Sequence, residues 1–529
     1  MSALLLCLIG GCAAVDDSEL DDNALSNEGS KAEPEASRGS AGGGDQDAGP
    51  NLPDGAPPAT DSGPPEKQSP STSVGFTPIK PSADSRRVYV SSSTGKDTND
   101  CASESTPCKT LLAGMKKLRQ GFPDHLYLKR GDTWRDEAIM NQLPSGRSAT
   151  EPLVVTSYGT TGARPKIESG SGNTSLRFQK EKVAHVHVIG LEFSAYKLVP
   201  GTPSFDGTSH ADIMLLGGHS DFLFEDNKFS FIELVMQNWT SGSNAGNPSN
   251  IRLRRNIWTG TYYNESSFNQ DNRPSNIYAS SVSGLTIEEN VLDHGGWHPT
   301  VPGAGANMYN HNIYVQVTTD GSKLLLKNNI ITRASSHGAQ LRGGGLAEDN
   351  FFARNTVGLM LGYWEPIPTG VRAHAFDNVI SEGIPMVRGN AACTGNNLCT
   401  GALWGLEFSA MGFADWRGER NIISHVRINP ESTAKYGSLS RASVHTHKDQ
   451  ASTVQLNGNL AYKWTNNTEG VSAQYPDPER TLGSYNQSLG GANSFEAFMD
   501  VVLNRAPATW DERYTASAIN KYIRAGFKK

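Results

Sequence analysis

Leu285-Thr286-Ile287-Glu288-Glu289-Asn290-Val291 holds the pattern on which the fold reading rests: a short apolar strand, polar residues, an asparagine, then a hydrophobic residue. The signature recurs as Arg254-Arg255-Asn256-Ile257, Lys327-Asn328-Asn329-Ile330, Glu348-Asp349-Asn350-Phe351 and Phe376-Asp377-Asn378-Val379. Glu419-Arg420-Asn421-Ile422 and Asn457-Gly458-Asn459-Leu460 continue it, and Glu225-Asp226-Asn227-Lys228-Phe229 is a slightly irregular first member. Successive asparagines stand between 21 (350 minus 329) and 43 (421 minus 378) residues apart. One coil of a solenoid needs about this much chain, with loops making up the excess. Asparagine suits the bend because its amide bonds locally and tolerates left-handed backbone. Stacked coils would set Asn above Asn, joined by amide hydrogen bonds. Short strands without helical periodicity between them fit an all-β, parallel β-helix.

The ends of such a solenoid expose unpaired backbone and need covering. Leu111, Leu112, Met115 and Leu118 form a helical stripe after Thr110, which predicts an N-terminal capping helix. Asn493 and Glu496 have capping-box spacing ahead of Phe495, Phe498, Met499 and Val502. Thr515 opens a second helix with Ile519, Tyr522 and Ile523, closed by Gly526. Residues 471–529 are therefore expected to be a C-terminal helical cap, and 86–470 the β-helix.

Val88-Tyr89-Val90 with Gly95-Lys96-Asp97, then Pro107-Cys108-Lys109-Thr110-Leu111 and Leu126-Tyr127-Leu128-Lys129-Arg130-Gly131-Asp132-Thr133, complete the pattern. With these entry motifs the chain resembles the pectate-lyase-like right-handed β-helix superfamily over about residues 86 to 470. The resemblance implies the right-handed coil. It is weak for the reaction, because this fold carries lyases, hydrolases, epimerases and adhesins.

Ahead of the solenoid, Ala3 to Ile9 is an apolar run too short to span a bilayer. It leads into Leu8-Ile9-Gly10-Gly11-Cys12, which resembles a bacterial lipoprotein signal, although no Lys or Arg precedes the run. The resemblance implies cleavage before Cys12 and lipidation of its thiol; the alternative is an ordinary secretory signal. Ala13 after the cysteine favours the outer membrane or cell surface of the envelope. Residues 13–85 are acidic and rich in Gly, Pro and Ser, with no aromatic before Phe76, and are expected to be a disordered tether. Only 36% of the 529 residues are hydrophobic, which agrees with a chain that is partly unpacked. A formal net charge of -7 argues against nucleic acid as a partner. Cys101 with Cys108, and Cys393 with Cys399, are close pairs without zinc-ribbon spacing. They read as two disulfides of an oxidising compartment, with free thiols as the alternative.

Ser275-Asn276-Ile277-Tyr278-Ala279-Ser280, His311-Asn312-Ile313-Tyr314-Val315-Gln316 and His337-Gly338-Ala339-Gln340-Leu341-Arg342 align as neighbouring strands. Gly358-Leu359-Met360-Leu361-Gly362 is a fourth. Strand side chains alternate, so Ile277, Ile313, Ala339 and Leu359 should point inward. Tyr278, Tyr314, Gln340 and Met360 then form one outward column, and Ser280, Gln316, Arg342 and Gly362 the next. Such a wall suits a polyhydroxylated acidic ligand, whose carboxylate an arginine grips in a forked geometry. Ordinary solvated strand residues are the bland reading. Strict counting gives His311 and His337 the inward parity; at strand starts they are either buried and hydrogen-bonded or aimed at the groove. Aromatic loops flank the wall, with Trp297 and His298 before His311 and Tyr363, Trp364 and Glu365 after the fourth strand. They form either a sugar-binding rim or hydrophobic loop anchors.

A polysaccharide lyase needs a cation at the uronate carboxylate, a base and an acid. Arg342, His311 or His337, and Tyr314 supply these types, with Gln316, Gln340, Tyr278 and the loop residues as substrate contacts. The expected partner is an acidic polysaccharide, handled by a monomer whose only membrane contact is its lipid. No aspartate cluster marks a metal site, so no cofactor is required, although calcium is compatible. A glycoside hydrolase would need two facing carboxyl groups, for which Asp293, Glu348, Asp349 and Glu365 are available. A non-catalytic glycan-binding adhesin would keep the aromatics and Arg342 without needing the histidines.

Overall fold

A computed structural model describes residues 75–527, apart from 141–142, 171–175, 207–211, 263–272, 317–322, 363–370, 388–399, 410–414, 447–453 and 465–474. Cys12, the Cys393/Cys399 pair, Tyr363, Trp364 and Glu365 lie outside the described residues. Three parallel sheets of 12, 11 and 10 strands wind into a right-handed β-helix. One coil runs Ser283–Glu288 in the first sheet, Val291–Asp293 in the second and Ile313–Val315 in the third. Leu325–Lys327 then pairs on the first strand and begins the next coil. The right hand follows from the strand twist, which lets a parallel crossover return in one sense only.

The recurrent asparagines stand at the corner between the first and second sheets. Asn290 Nδ2 donates to Asn329 Oδ1 at 3.0 Å and to Leu253 O at 2.9 Å, while the Asn290 backbone N–H donates to the same Oδ1 at 2.9 Å. The ladder continues without a break from Asn227 through Asn256, Asn290, Asn329, Asn350, Asn378 and Asn421 to Asn459. Each interior amide is thereby satisfied, which is what permits a polar column inside an apolar solenoid. The left-handed backbone, however, belongs to the residue before each asparagine: Arg255 at φ 55°, Glu289 at 56°, Asp349 at 52° and Asp377 at 56°. One left-handed residue turns the corner, and the asparagine after it points its amide inward.

Inside, apolar residues stack in register. Phe193, Phe229 and Trp258 lie face to face, with ring centroids 5.3 and 4.5 Å apart. Such pairs contribute about 1 kcal/mol each beyond burial. At the N-terminal end, helix Leu111–Met115 lays Leu111 and Met115 over Val88, Val90 and Leu126. Thr110 caps it by accepting from the Ala113 N–H at 3.2 Å, and Leu112 faces solvent. Cys101 and Cys108 are bonded to each other beside this lid. Thr77 to Ser85 already engage the folded body: the Thr77 N–H donates to Glu225, and the Ser82 hydroxyl donates to Glu151 at 2.7 Å.

Of the C-terminal helices, Phe495–Val502 and Ala516–Ala525 form as expected, and Leu482–Ser488 is a third that the sequence reading did not foresee. They lie along the outer face of the second sheet, packing Phe498, Met499 and Ile519 against Val291, Ile330 and Phe351. The physical reason is in the strands. Val291-Leu292, Ile330-Ile331, Phe351-Phe352 and Val379-Ile380 are apolar on both faces, so the outer face also requires a cover. Ser494, rather than Asn493, caps the helix at 495 by accepting from the Ala497 N–H. Gly526 ends the last helix with φ -68°, outside the left-handed region; a side chain there would collide with Asp477 O.

Candidate active site

The aligned strands are neighbours in the third sheet, in the register read from the sequence. Ile277, Ile313, Ala339 and Leu359 pair in succession, as do Tyr278, Tyr314, Gln340 and Met360. The first set joins the core, and the second stands on the outer face. Strict alternation fails one residue earlier. Carbon placed on Gly338, Gly358 or Gly405 would strike Phe352, Ile380 or Ile423, which are core side chains, so these positions also face inward. Two consecutive inward residues reverse the parity before them, and His311 and His337 come to the outer face.

There the two imidazoles meet edge to face, with centroids 4.8 Å apart. His311 also packs edge-on against Tyr314 at 5.1 Å, and the Arg342 guanidinium lies over the Tyr314 ring at 5.0 Å. Tyr278 tilts against Tyr314 at 5.5 Å and donates its hydroxyl to Gln316 Oε1 at 2.7 Å. Gln340 donates to Met360 Sδ at 3.2 Å, while its Oε1 is buried and unpartnered. The proposed acid, base, cation and Gln contacts therefore share one surface, drawn from three successive coils.

Ser336 organises the histidines. Its Oγ is 2.8 Å from His311 Nδ1 and 3.0 Å from His337 Nδ1, and it donates to Met308 O or Asn310 O at 2.9 and 2.8 Å. A hydroxyl has one proton, and the carbonyls can only accept it. The lone pairs of the oxygen are then left to accept Nδ1–H from both rings. Each ring so held carries its lone pair on Nε2, the form a general base needs. Burial first, then His337, Arg342 and Arg273, holds the His311 pKa well below its ordinary range. Burial and Arg342 push His337 down to about 3. Both rings are neutral near neutral pH.

Sequence reasoning missed Ser336, Arg273, Trp404 and Glu407. Arg273 stacks on Tyr309 at 4.4 Å beside His311. Glu407 extends the outer column past Met360, and its Oε2 is 3.9 Å from His337 Nε2. A signal for Glu407 exists: Gly405-Leu406-Glu407-Phe408 repeats the Gly-apolar-x-apolar pattern of Gly338 and Gly358.

The loop residues take other places. Trp297 is buried on Ala306, Met308 and Met386 and donates Nε1–H to Arg333 O at 2.7 Å, so it anchors the loop that delivers His311. His298 accepts from the Val301 N–H at 3.2 Å and packs on Tyr262 at 5.2 Å, inside the same loop. The carboxyl groups considered for hydrolysis are dispersed. Asp293 clamps Arg333, Glu348 pairs with Lys327 on the first sheet, and Asp349 binds Ser517 and Asn520.

No family model matches this chain, and no curated protein matches it. Among solved structures, a rhamnogalacturonan lyase superposes with a TM-score of 0.44 at 11% identity, over 74% of this chain and 90% of that one. A GH136 lacto-N-biosidase from Eubacterium ramulus gives 0.38 at 14%, over 71% and 67%. An alginate lyase from a Paenibacillus species gives 0.32 at 12%, over 70% and 99%. At such identities neither reaction nor substrate passes from them to this chain.

Proposed function

We propose that the outer face of the third sheet binds a uronate-bearing polysaccharide and cleaves it by β-elimination. The observation that carries the reading is the meeting of His311, His337, Tyr314 and Arg342 on one face, with both histidines held by Ser336. Arg342 pairs with the substrate carboxylate and stabilises the charge that develops when the adjacent proton leaves. His311 Nε2 takes that proton; no hydrogen bond among the described residues engages it. The carbon–oxygen bond to the leaving sugar breaks, its electron pair departs with the oxygen, and a carbon–carbon double bond forms. Tyr314 supplies a proton to the leaving oxygen. Hydrolysis is less well supported, because it needs a second carboxyl group within about 5 to 9.5 Å of the first. Among the described residues Asp293, Glu348 and Asp349 are held elsewhere.

The test is to incubate the purified full chain with uronic-acid polymers and follow ultraviolet absorbance of the unsaturated product, with reducing ends in parallel. Reducing ends without absorbance mean hydrolysis; glycan retention with neither means a binding protein. Chelation before the assay tests calcium, and sedimentation tests the monomer. We also propose lipidation at Cys12 and an envelope location, a reading that rests on the sequence, while the Cys101–Cys108 disulfide supports an oxidising compartment. Loss of acyl labelling in Cys12→Ala cells tests it.

A further inference from the structure

Over the two coils beyond Arg342, the outer face changes character. Val357, Met360, Ala402 and Trp404 form their own apolar cluster, separate from the core. Trp404 stacks on His445 with centroids 3.8 Å apart and planes 9° from parallel. Neither strand Val357–Leu361 nor strand Ala402–Phe408 contains a lysine or arginine. The one carboxyl group on these two strands, Glu407, has a side chain only 5% exposed. The titratable groups that face it are His337, at 3.9 Å, and His445, its neighbour in register. A buried carboxylate without a cation is costly, so the group keeps its proton near neutrality. Burial pushes it up to about 8.

Two polar atoms of this stretch are buried without partners: the Trp404 indole N–H, a donor, and Gln340 Oε1, an acceptor. Buried polar atoms are normally satisfied, and an orphan donor and acceptor on one face call for a ligand that carries hydroxyl groups. A second uronate would fit badly. It would meet no lysine or arginine of these two strands, would lie against Met360 and Trp404, and would stand beside a carboxyl group. A neutral ring fits better: it brings no charge to this stretch, and its hydroxyls supply an acceptor for the Trp404 Nε1–H and a donor for Gln340 Oε1. Strands of one sheet are spaced by about 4.8 Å, so Arg342 and Glu407 are about 10 Å apart along the axis. That is within reach of neighbouring sugars of one chain.

We propose that the polysaccharide this site takes is mixed, with a uronate at Arg342 joined to an uncharged sugar seated on Met360, Trp404 and Glu407. The inference rests on the third sheet's outer face being the glycan site, but not on elimination being the reaction. Binding is therefore its test. The full chain is run in affinity electrophoresis and calorimetry against polygalacturonate and polymannuronate. The mixed polymers are hyaluronan, unsulfated chondroitin and a rhamnose–galacturonate backbone. At least one mixed polymer should bind tenfold or more tightly than either homopolymer. Trp404→Ala and Glu407→Gln, each checked for an unchanged circular dichroism spectrum, separate the subsites. Trp404→Ala should lower affinity for the mixed polymer about tenfold and leave the homopolymers unchanged, whereas Glu407→Gln, which keeps the position neutral, should preserve the preference. Equal or tighter binding of a homopolymer, or binding of none of these polymers, overturns the proposal. Preferential binding without unsaturated product would sink the elimination reading and leave this one standing.

Discussion

Ser336 Oγ lies 2.8 Å from His311 Nδ1, one coil away, and the same oxygen is 3.0 Å from Nδ1 of His337. A single hydroxyl thus sets the tautomer of two bases. Ser336→Ala removes the acceptor that holds both Nδ1–H groups. Product formation should fall by roughly 10² while polymer affinity is unchanged, in keeping with loss of a positioned general base. Nitrogen NMR shifts of His311 and His337 distinguish this from a packing defect. In the wild type both rings should report protonated Nδ1, and in the variant a mixture. Thermal stability should drop by about 1–3 kcal/mol for the disrupted buried hydrogen bonds.

Arg342→Lys keeps the charge but loses the fork that matches a carboxylate. The expected loss is about 1.5–3 kcal/mol of transition-state binding, as for hydrogen bonds to charged groups, and Arg342→Gln should lose more. The check is kcat/KM on the preferred polymer across a salt series. Arg342→Gln should show the flatter dependence, because one cation facing the polyanion is gone.

Asn290→Ala strikes the ladder. It leaves the backbone N–H and the amide of Asn256 without their Oδ1 acceptor, in a corner that water does not reach. Two unsatisfied donors cost about 1–3 kcal/mol each. Denaturant unfolding should register a loss of about 2–6 kcal/mol, while polymer binding by the protein that remains folded is kept. A loss below 0.5 kcal/mol would mean that the ladder is ornamental.

Stability should depend on pH through two groups of opposite sign. The folded pKa of Glu407, about 8, lies above its ordinary value of 4.5, so the folded state holds a proton that the unfolded state has released. That contribution is present below 4.5 and is lost as pH rises toward 8. His337 is the reverse. Its folded pKa near 3 lies below the ordinary 6.5, so stability is lost as pH falls from 6.5 toward 3. Thermal midpoints measured from pH 3 to 9 should therefore decline on both sides. In Glu407→Gln the decline between pH 5 and 8 should flatten, with the acid side unchanged.

The alignment of Ile277, Ile313 and Ala339 was legible because strand register obeys a local rule: period two, with an apolar residue wherever the chain faces inward. The orientation of His311 and His337 was not, because Gly338, Gly358 and Gly405 break that alternation. Only their closeness to Phe352, Ile380 and Ile423 of the second sheet reveals the break. The left-handed corner was read one residue late, since both asparagine and its predecessor are compatible with such a bend. Trp297 looked like a rim residue because aromatic composition does not distinguish a loop anchor from a sugar platform. Trp404, which stacks on His445, sits in a strand whose alignment is hidden behind long insertions.

Coil architecture, the asparagine column, the N-terminal lid and the alignment of Tyr278, Tyr314 and Gln340 in one outward column were determined by the order of residues alone, since each follows from patterns that act within a coil or between adjacent coils. The tertiary structure decided what is set across coils and between sheets. It turned the histidines outward, tied both to Ser336, brought Glu407 beside His337 and laid the C-terminal helices on the second sheet. The reason is physical. A solenoid brings distant segments into contact at a spacing fixed by backbone pairing, whereas the loops between them vary in length, so the sequence separation of two side chains carries no measure of their distance in space.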